Sequence, residues 1–153
     1  MKFTVDKIRE VALGAEEVLE SEGLVELRRF TREQTVALKT EDFIRTSYTP
    51  AGIRLCFKTD ATSLFLAVTS QLGATRTYFA YDVLVDSEYF GSLNNFEDKE
   101  PVSAYTVQKF PLGEHSKRFA LPRGEKVVTI VCPWSVISQI NELSLEARAF
   151  ARR

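Results

Sequence analysis

The sequence is poor in the residues that staple, ligate or activate. It holds two cysteines, Cys56 and Cys132, each inside an apolar, strand-like stretch, and one histidine, His115. Two cysteines cannot build a disulfide framework, and thiols set in apolar strands read as free groups of a reducing compartment. A lone histidine with no cysteine at ligand spacing argues against a zinc site. No run approaches the ~18 apolar residues of a membrane span. Nor does one sign of charge dominate, since 20 Lys and Arg stand against 21 Asp and Glu. That balance gives no bulk attraction for nucleic acid or another polyanion, and neither nucleic acid nor membrane is expected as a partner. The short basic clusters, Arg28-Arg29 and Arg152-Arg153, read as solvated surface.

The signatures of catalysis are missing too. There is no G-x-S-x-G elbow, P-loop or dinucleotide fingerprint. Acyl transfer needs a nucleophile, a base touching it and donors for the oxyanion. His115, in "LGEHSKRF", reads as an exposed loop residue. The nearest approach to Gly-Asp-Ser is Val85-Asp86-Ser87, which lacks the glycine and falls where a hairpin should turn. No catalytic residue, metal or cofactor is therefore assigned, and catalysis by this chain alone is not expected. The loop "NNFEDKE" offers Asn94, Asn95, Glu97, Asp98 and Glu100, oxygen donors of the kind Ca²⁺ takes, but without the spacing of a calcium loop. It reads as solvated surface. The opening "MKFTVDKIREVALGA" is broken by Asp6, Lys7, Arg9 and Glu10, so it is not a signal peptide, and a cytoplasmic location is expected.

What is present is alternation, in a chain of 153 residues that suffices for one domain. Val5, Ile8, Val11, Ala12 and Ala15 recur at helical spacing and predict a short helix ending near Gly14. The period then shortens to two. "GLVELRRF" opposes Leu24 and Glu26 to Val25 and Leu27; "TREQTVAL" and "EDFIRTSYTPAG" read as irregular polar connections. In "IRLCFKTD", Ile53, Leu55 and Phe57 point one way and Arg54, Cys56 and Lys58 the other. "SLFLAVTS" is apolar on both sides and should be a central strand. "TYFAYDVLVD" and "EYFGSL" form a hairpin about Asp86-Ser87, and "AYTVQKF" is another alternating run. Two more strands, from "KRFALP" and "KVVTIVCPW", flank Gly124. "ISQINELSLEA" closes with a loop and a last strand marked by Ile137, Ile140, Leu143 and Leu145. Short strands at about ten-residue spacing, with no βαβ alternation, predict an all-β antiparallel sandwich, jelly-roll-like, with a short N-terminal helix.

Aromatics are the remaining route to a ligand. Tyr78, Tyr81, Tyr89, Phe90, Phe96, Tyr105 and Trp134 crowd the second half. Such rings either fill a sandwich core or offer flat faces to a sugar. Trp134 follows Pro133 where a strand runs out into a loop, and it is the first ligand-binding candidate. Glu88 and Tyr89, near the tip of the hairpin in "YDVLVDSEYFG", are the others. In the same stretch Asp82 shares a face with Leu84 and is expected to be partly buried. A buried carboxylate needs a partner, and Arg54, itself in mid-strand, is the candidate. Loss of either member of that pair should lower thermal stability.

Several segments, in order, resemble the N-terminal β-sandwich that precedes the catalytic domain in bacterial SGNH (GDSL-type) hydrolases. "AGIRLCFKTDATSLFLAV" is similar to that domain's Gly-hydrophobic-Arg-Leu-x-Phe-x-Thr-Asp signature and next strand. "YDVLVDSEYFG" resembles its Asp-Leu-Tyr-Val-Asp-Gly hairpin, and "KRFALPRGEKVVTIVCPW" its Leu-Pro-x-Gly-x-Lys-x-Val-Thr-Ile stretch. "LRRFTREQ" and "ISQINELSLEA" fit near the two ends. The chain departs from the pattern at Val83-Leu84, at Ser87 in place of the turn glycine, and at Cys132 before the proline. The resemblance implies a sandwich similar to carbohydrate-binding modules over residues 1–147, with 148–153 starting a linker toward an esterase domain in cis. That absent domain would carry the Gly-Asp-Ser and Asp-x-x-His blocks. Two other readings stand beside it: a free-standing carbohydrate-binding module, and an interaction or dimerisation module with an exposed apolar patch. The resemblance implies a possible carbohydrate ligand without naming one, and no particular oligomeric state.

Overall fold

A computed structural model describes residues 1–74, 76–97, 109–146 and 151–152. Tyr105, Asp98, Glu100, most of the run "AYTVQKF" and the expected boundary after Ala147 lie outside the described residues. The chain opens with a helix, α1 (Val5–Val11), capped by the Thr4 side chain, which accepts from Lys7 N. It then forms β1 (Ala12–Leu13), β2 (Glu17–Ser21) and β3 (Leu24–Arg28). Two short helices follow, α2 (Arg32–Val36) and α3 (Glu41–Ser47). The rest is strand: β4 (Arg54–Thr59), β5 (Ser63–Leu72), β6 (Ala80–Val85), β7 (Glu88–Asn94), β8 (Gly113–Ala120), β9 (Lys126–Val131) and β10 (Val136–Leu145).

The strands make two antiparallel sheets. Sheet A has the order β2-β3-β10-β5-β8 and sheet B the order β1-β4-β9-β6-β7. From β3 onward the chain changes sheet at almost every connection, setting β3-β10-β5-β8 over β4-β9-β6-β7. That is jelly-roll topology, as the alternation predicts. Leu64, Leu66 and Val68 of β5 face Leu55, Phe57, Val83, Val128 and Ile130 of sheet B, all essentially without solvent contact. The β10 strand is continuous rather than a loop and a strand. Its register slips between Ile140 and Glu142, so the inward set is Val136, Ser138 and Ile140, then Leu143 and Leu145. Asn141 is left at the bulge, and its Oδ1 accepts from Thr69 Oγ1 at 2.8 Å. A one-residue bulge is what reconciles a broken period with one strand.

The polar connections expected before Pro50 are instead α2 and α3. Thr31 and Gln34 form a reciprocal capping box at the start of α2, and Thr40 caps α3. These helices are held by the arginines that read as solvated surface. Arg28 bonds the Glu26 carboxylate and lies 3.8 Å over the Tyr48 ring. Arg29 donates from Nε to the Thr49 carbonyl at 2.9 Å and from its terminal nitrogen to the Thr46 carbonyl at 3.0 Å. Ala151 and Arg152, expected in a linker, lie against β4: Lys58 N donates to Arg152 O at 2.7 Å and Arg152 N to Lys58 O at 3.1 Å.

Candidate functional site

The hairpin turns where expected, with positive φ at both Asp86 (50°) and Ser87 (70°), the two-residue pattern whose twist suits a hairpin. Asp86 also clamps its tip to the start of β9: its N–H donates to Val127 O at 2.8 Å and its Oδ1 accepts from Val127 N at 2.9 Å. Tyr89, 67% exposed, and Glu88 stand beside this tip. Trp134, 57% exposed, follows the far end of β9. Strand rise separates the two by roughly 20 Å. The three ligand-binding candidates therefore divide between opposite ends of the sandwich and do not form one site.

Asp82 and Arg54 are not brought into contact. Both stand opposite Val131, Arg54 from β4 and Asp82 from β6, with β9 between them. Among the described residues no ion pair includes either. Arg54 is exposed, Asp82 is half-buried, and burial pushes its carboxyl above the ordinary range. The expected pair fails because residues sharing a row and a face can still be two strands apart.

Trp134 belongs to the loop end, where the connections between β5 and β6, β7 and β8, and β9 and β10 meet. The Arg76 guanidinium lies 4.4 Å over its ring. Beside it, Ser135 Oγ donates to the Tyr78 carbonyl at 2.6 Å, tying two of these connections together. The Tyr78 ring meets Phe96 and Phe110 edge-on, each at 6.2 Å, and Phe96 and Phe110 lie 6.4 Å apart. Phe96 and Phe110 wall a depression of about 310 Å³, rimmed by Glu97, Lys109, Pro111 and His115. No local pattern announces this cluster, because residues 78, 96 and 110 meet only through the fold.

Asn94 and Asn95 also line the depression, but their amides are committed. Asn95 accepts from Phe79 N at 3.0 Å and donates to the Thr77 and Pro111 carbonyls, and Asn94 accepts from Phe96 N at 3.0 Å. Both amide oxygens thus serve backbone N–H groups, and no acidic or histidine cluster suited to a metal occurs among the described residues. Glu97 is paired with Lys117 at 3.1 Å. His115 lies on a strand rather than in a loop, half-buried, its ring set edgewise 5.3 Å from Phe79. Its Nδ1 makes a long 3.4 Å approach to the Gly113 carbonyl, and no hydroxyl or thiol is bonded to it among the described residues. The loop end can stack and hydrogen-bond a ligand; its described residues do not bring a nucleophile and a base into contact.

No family model and no curated protein matches the sequence. Solved structures do match its shape. The salicylyl-acyltransferase SsfX3 from a tetracycline biosynthetic pathway is 20% identical, with a TM-score of 0.70, over 93% of this chain and 38% of that one. A protein described as a GDSL-like lipase, from Bacteroides ovatus ATCC 8483, is 11% identical, with a TM-score of 0.57, over 95% of this chain and 41% of that one. The fold is the one they contain. At these identities the likeness is of fold, and the chain spans about two fifths of each of those proteins. It bears out, at that level, the resemblance to the β-sandwich of SGNH/GDSL-type proteins. CBM35 from Cellvibrio japonicus Abf62 is 13% identical over 67% of this chain and 72% of its own, at a TM-score of 0.39, too low to argue from.

Proposed function

We propose that this jelly roll is the non-catalytic module of an SGNH/GDSL-type acyl-transferring enzyme, acting in cis with a catalytic domain on an acylated carbohydrate. The observation that carries the reading is the coverage: the sandwich accounts for nearly all of this chain yet for only 38% of an acyltransferase of the same fold. In this reading the module contributes binding and the shape of the cleft, while the acyl-transfer machinery belongs to the other domain. The coding sequence downstream of Arg153 is the test. A Gly-Asp-Ser block within about 20 residues, a linker-sized span, is expected, and a stop codon at that point sinks the proposal.

The aromatic depression favours a second reading, a free-standing carbohydrate-binding module. Apolar walls with a few polar rim groups are the usual make-up of a small-molecule pocket. A glycan array probed with the chain and with Trp134→Ala and Phe96→Ala distinguishes it. A signal lost in either variant supports glycan binding at the loop end, and a blank array counts against it.

A further inference from the structure

The two sheets present different outer faces. Sheet A turns polar groups outward: Glu26 takes bonds from Arg28 and Gln139, and Arg118 pairs with Glu146. Sheet B is apolar by comparison. One row across it reads Cys56, Thr129, Leu84 and Tyr89, and Val127 and Val131 run along its central strand. Tyr89, at 67%, and Val127, at 37%, are open to solvent on this face. In sheets that have one face on the core, the other is ordinarily polar, so a face of valine, leucine and tyrosine asks for a cover.

Charge interrupts that surface in a particular arrangement. Arg54 and Asp82 sit in one row, both opposite Val131, one strand to either side of β9. Among the described residues neither has an ion-pair partner within its own chain. The Asp82 carboxyl is pushed up by burial with no cation to offset it.

We propose that the outer face of sheet B is a self-association surface, on which a second copy of this chain packs face to face about a two-fold axis running along β9. Such a rotation leaves the central strand facing its own copy and exchanges the strands to either side. Arg54 of one copy then faces Asp82 of the other, and the reverse, while Cys56 faces Leu84 and Val131 faces Val131. An isologous interface requires this reciprocity, and a surface with its cation and anion symmetric about the middle strand supplies it. Packed sheets stand ~10 Å apart, a gap two opposed side chains, one of them arginine, bridge in an extended conformation. Each carboxylate gains a forked guanidinium partner at the moment it loses water. The inference does not rest on the proposed function.

Sedimentation equilibrium on the 153-residue chain tests the surface. The mass is expected to rise from monomer toward dimer with concentration. Arg54→Glu or Asp82→Arg alone sets like charges opposite one another and should weaken association at least about tenfold. The two reversals together keep every cation facing an anion and should restore it. Circular dichroism checks that each variant is folded. Three results overturn the proposal: a monomer at every concentration, association indifferent to either reversal, or a folded double variant that stays monomeric. The first of these would hand the face to another occupant, such as a domain in cis.

Discussion

The Tyr81 hydroxyl of sheet B donates to Ser138 Oγ of sheet A at 2.6 Å, across the middle of the sandwich. Ser138 in turn shares a 2.9 Å hydrogen bond with Ser70, its register partner on β5. All three groups are buried, so this short chain is a polar link across the interior, and Ser138 is its hinge.

Removing different members of the chain should cost different amounts. Tyr81→Phe leaves Ser138 and Ser70 bonded to each other and should cost about 1 kcal/mol. Ser138→Ala leaves two buried hydroxyls without a partner and should cost about 2–4 kcal/mol. In a domain of this size that is a fall of ~2–4 °C in melting temperature per kcal/mol. Thermal unfolding of both variants checks the order; equal losses would show that the Ser138–Ser70 bond adds nothing beyond the Tyr81 hydroxyl's own.

Alkali should weaken the fold through its buried acids. Burial pushes the Cys132 thiol from 9.0 up to about 12, and the Tyr81 hydroxyl upward as well, burial again being the main cause. The folded state keeps these protons while the unfolded chain gives them up. Stability is thus full below pH 9.0 and declines as pH rises toward 12, with a slope from Cys132 of about 1.4 kcal/mol per pH unit. Urea titrations across that window measure the slope, and Cys132→Ala should remove the thiol's share of it.

At the hairpin turn, Ser87 carries a left-handed φ of 70° where glycine would bear no strain. Ser87→Gly is expected to stabilise the domain by roughly 0.5–1 kcal/mol. Asp86→Ala, at φ 50° and with the bond to Val127 lost, should destabilise it by about 1–2 kcal/mol. Opposite signs at adjacent positions are the outcome to look for by chemical denaturation.

Arg29 serves two carbonyls at the end of α3 with one fork. Arg29→Ala should cost about 2–3 kcal/mol, the worth of charge-assisted bonds, and Arg29→Lys should recover only part, since an ammonium cannot reproduce the fork. Limited trypsin digestion provides the local readout: cleavage at Arg45 should quicken in both variants.

Much of the sandwich is legible where one face is buried and the other is not. Leu55 and Phe57 against Arg54 and Lys58 give β4, and the uniformly apolar β5 gives an interior strand. The misses have physical causes. Helix α2 has no buried residue and α3 buries only Ser47, so neither shows an apolar period; only the Thr31–Gln34 capping box betrays the first. Strand β2 is an edge with Val18 alone buried, and its polar side chains hide it. The aromatic group of Tyr78, Phe96 and Phe110 is invisible in sequence because three separate connections assemble it. Asp82 and Arg54 fail to pair because alternation does not tell how many strands lie between two residues.

The sheet order also sets a timetable for synthesis. The last two described strands of the sandwich to leave the ribosome, β9 and β10, are the middle strands of their sheets, β9 between β4 and β6 and β10 between β3 and β5. Until they emerge, the earlier strands have their neighbours' places empty, and neither half of the sandwich can close. The nascent chain must hold its apolar stretches in waiting until Leu145 is free, which makes the tunnel exit, rather than the finished fold, its most aggregation-exposed moment.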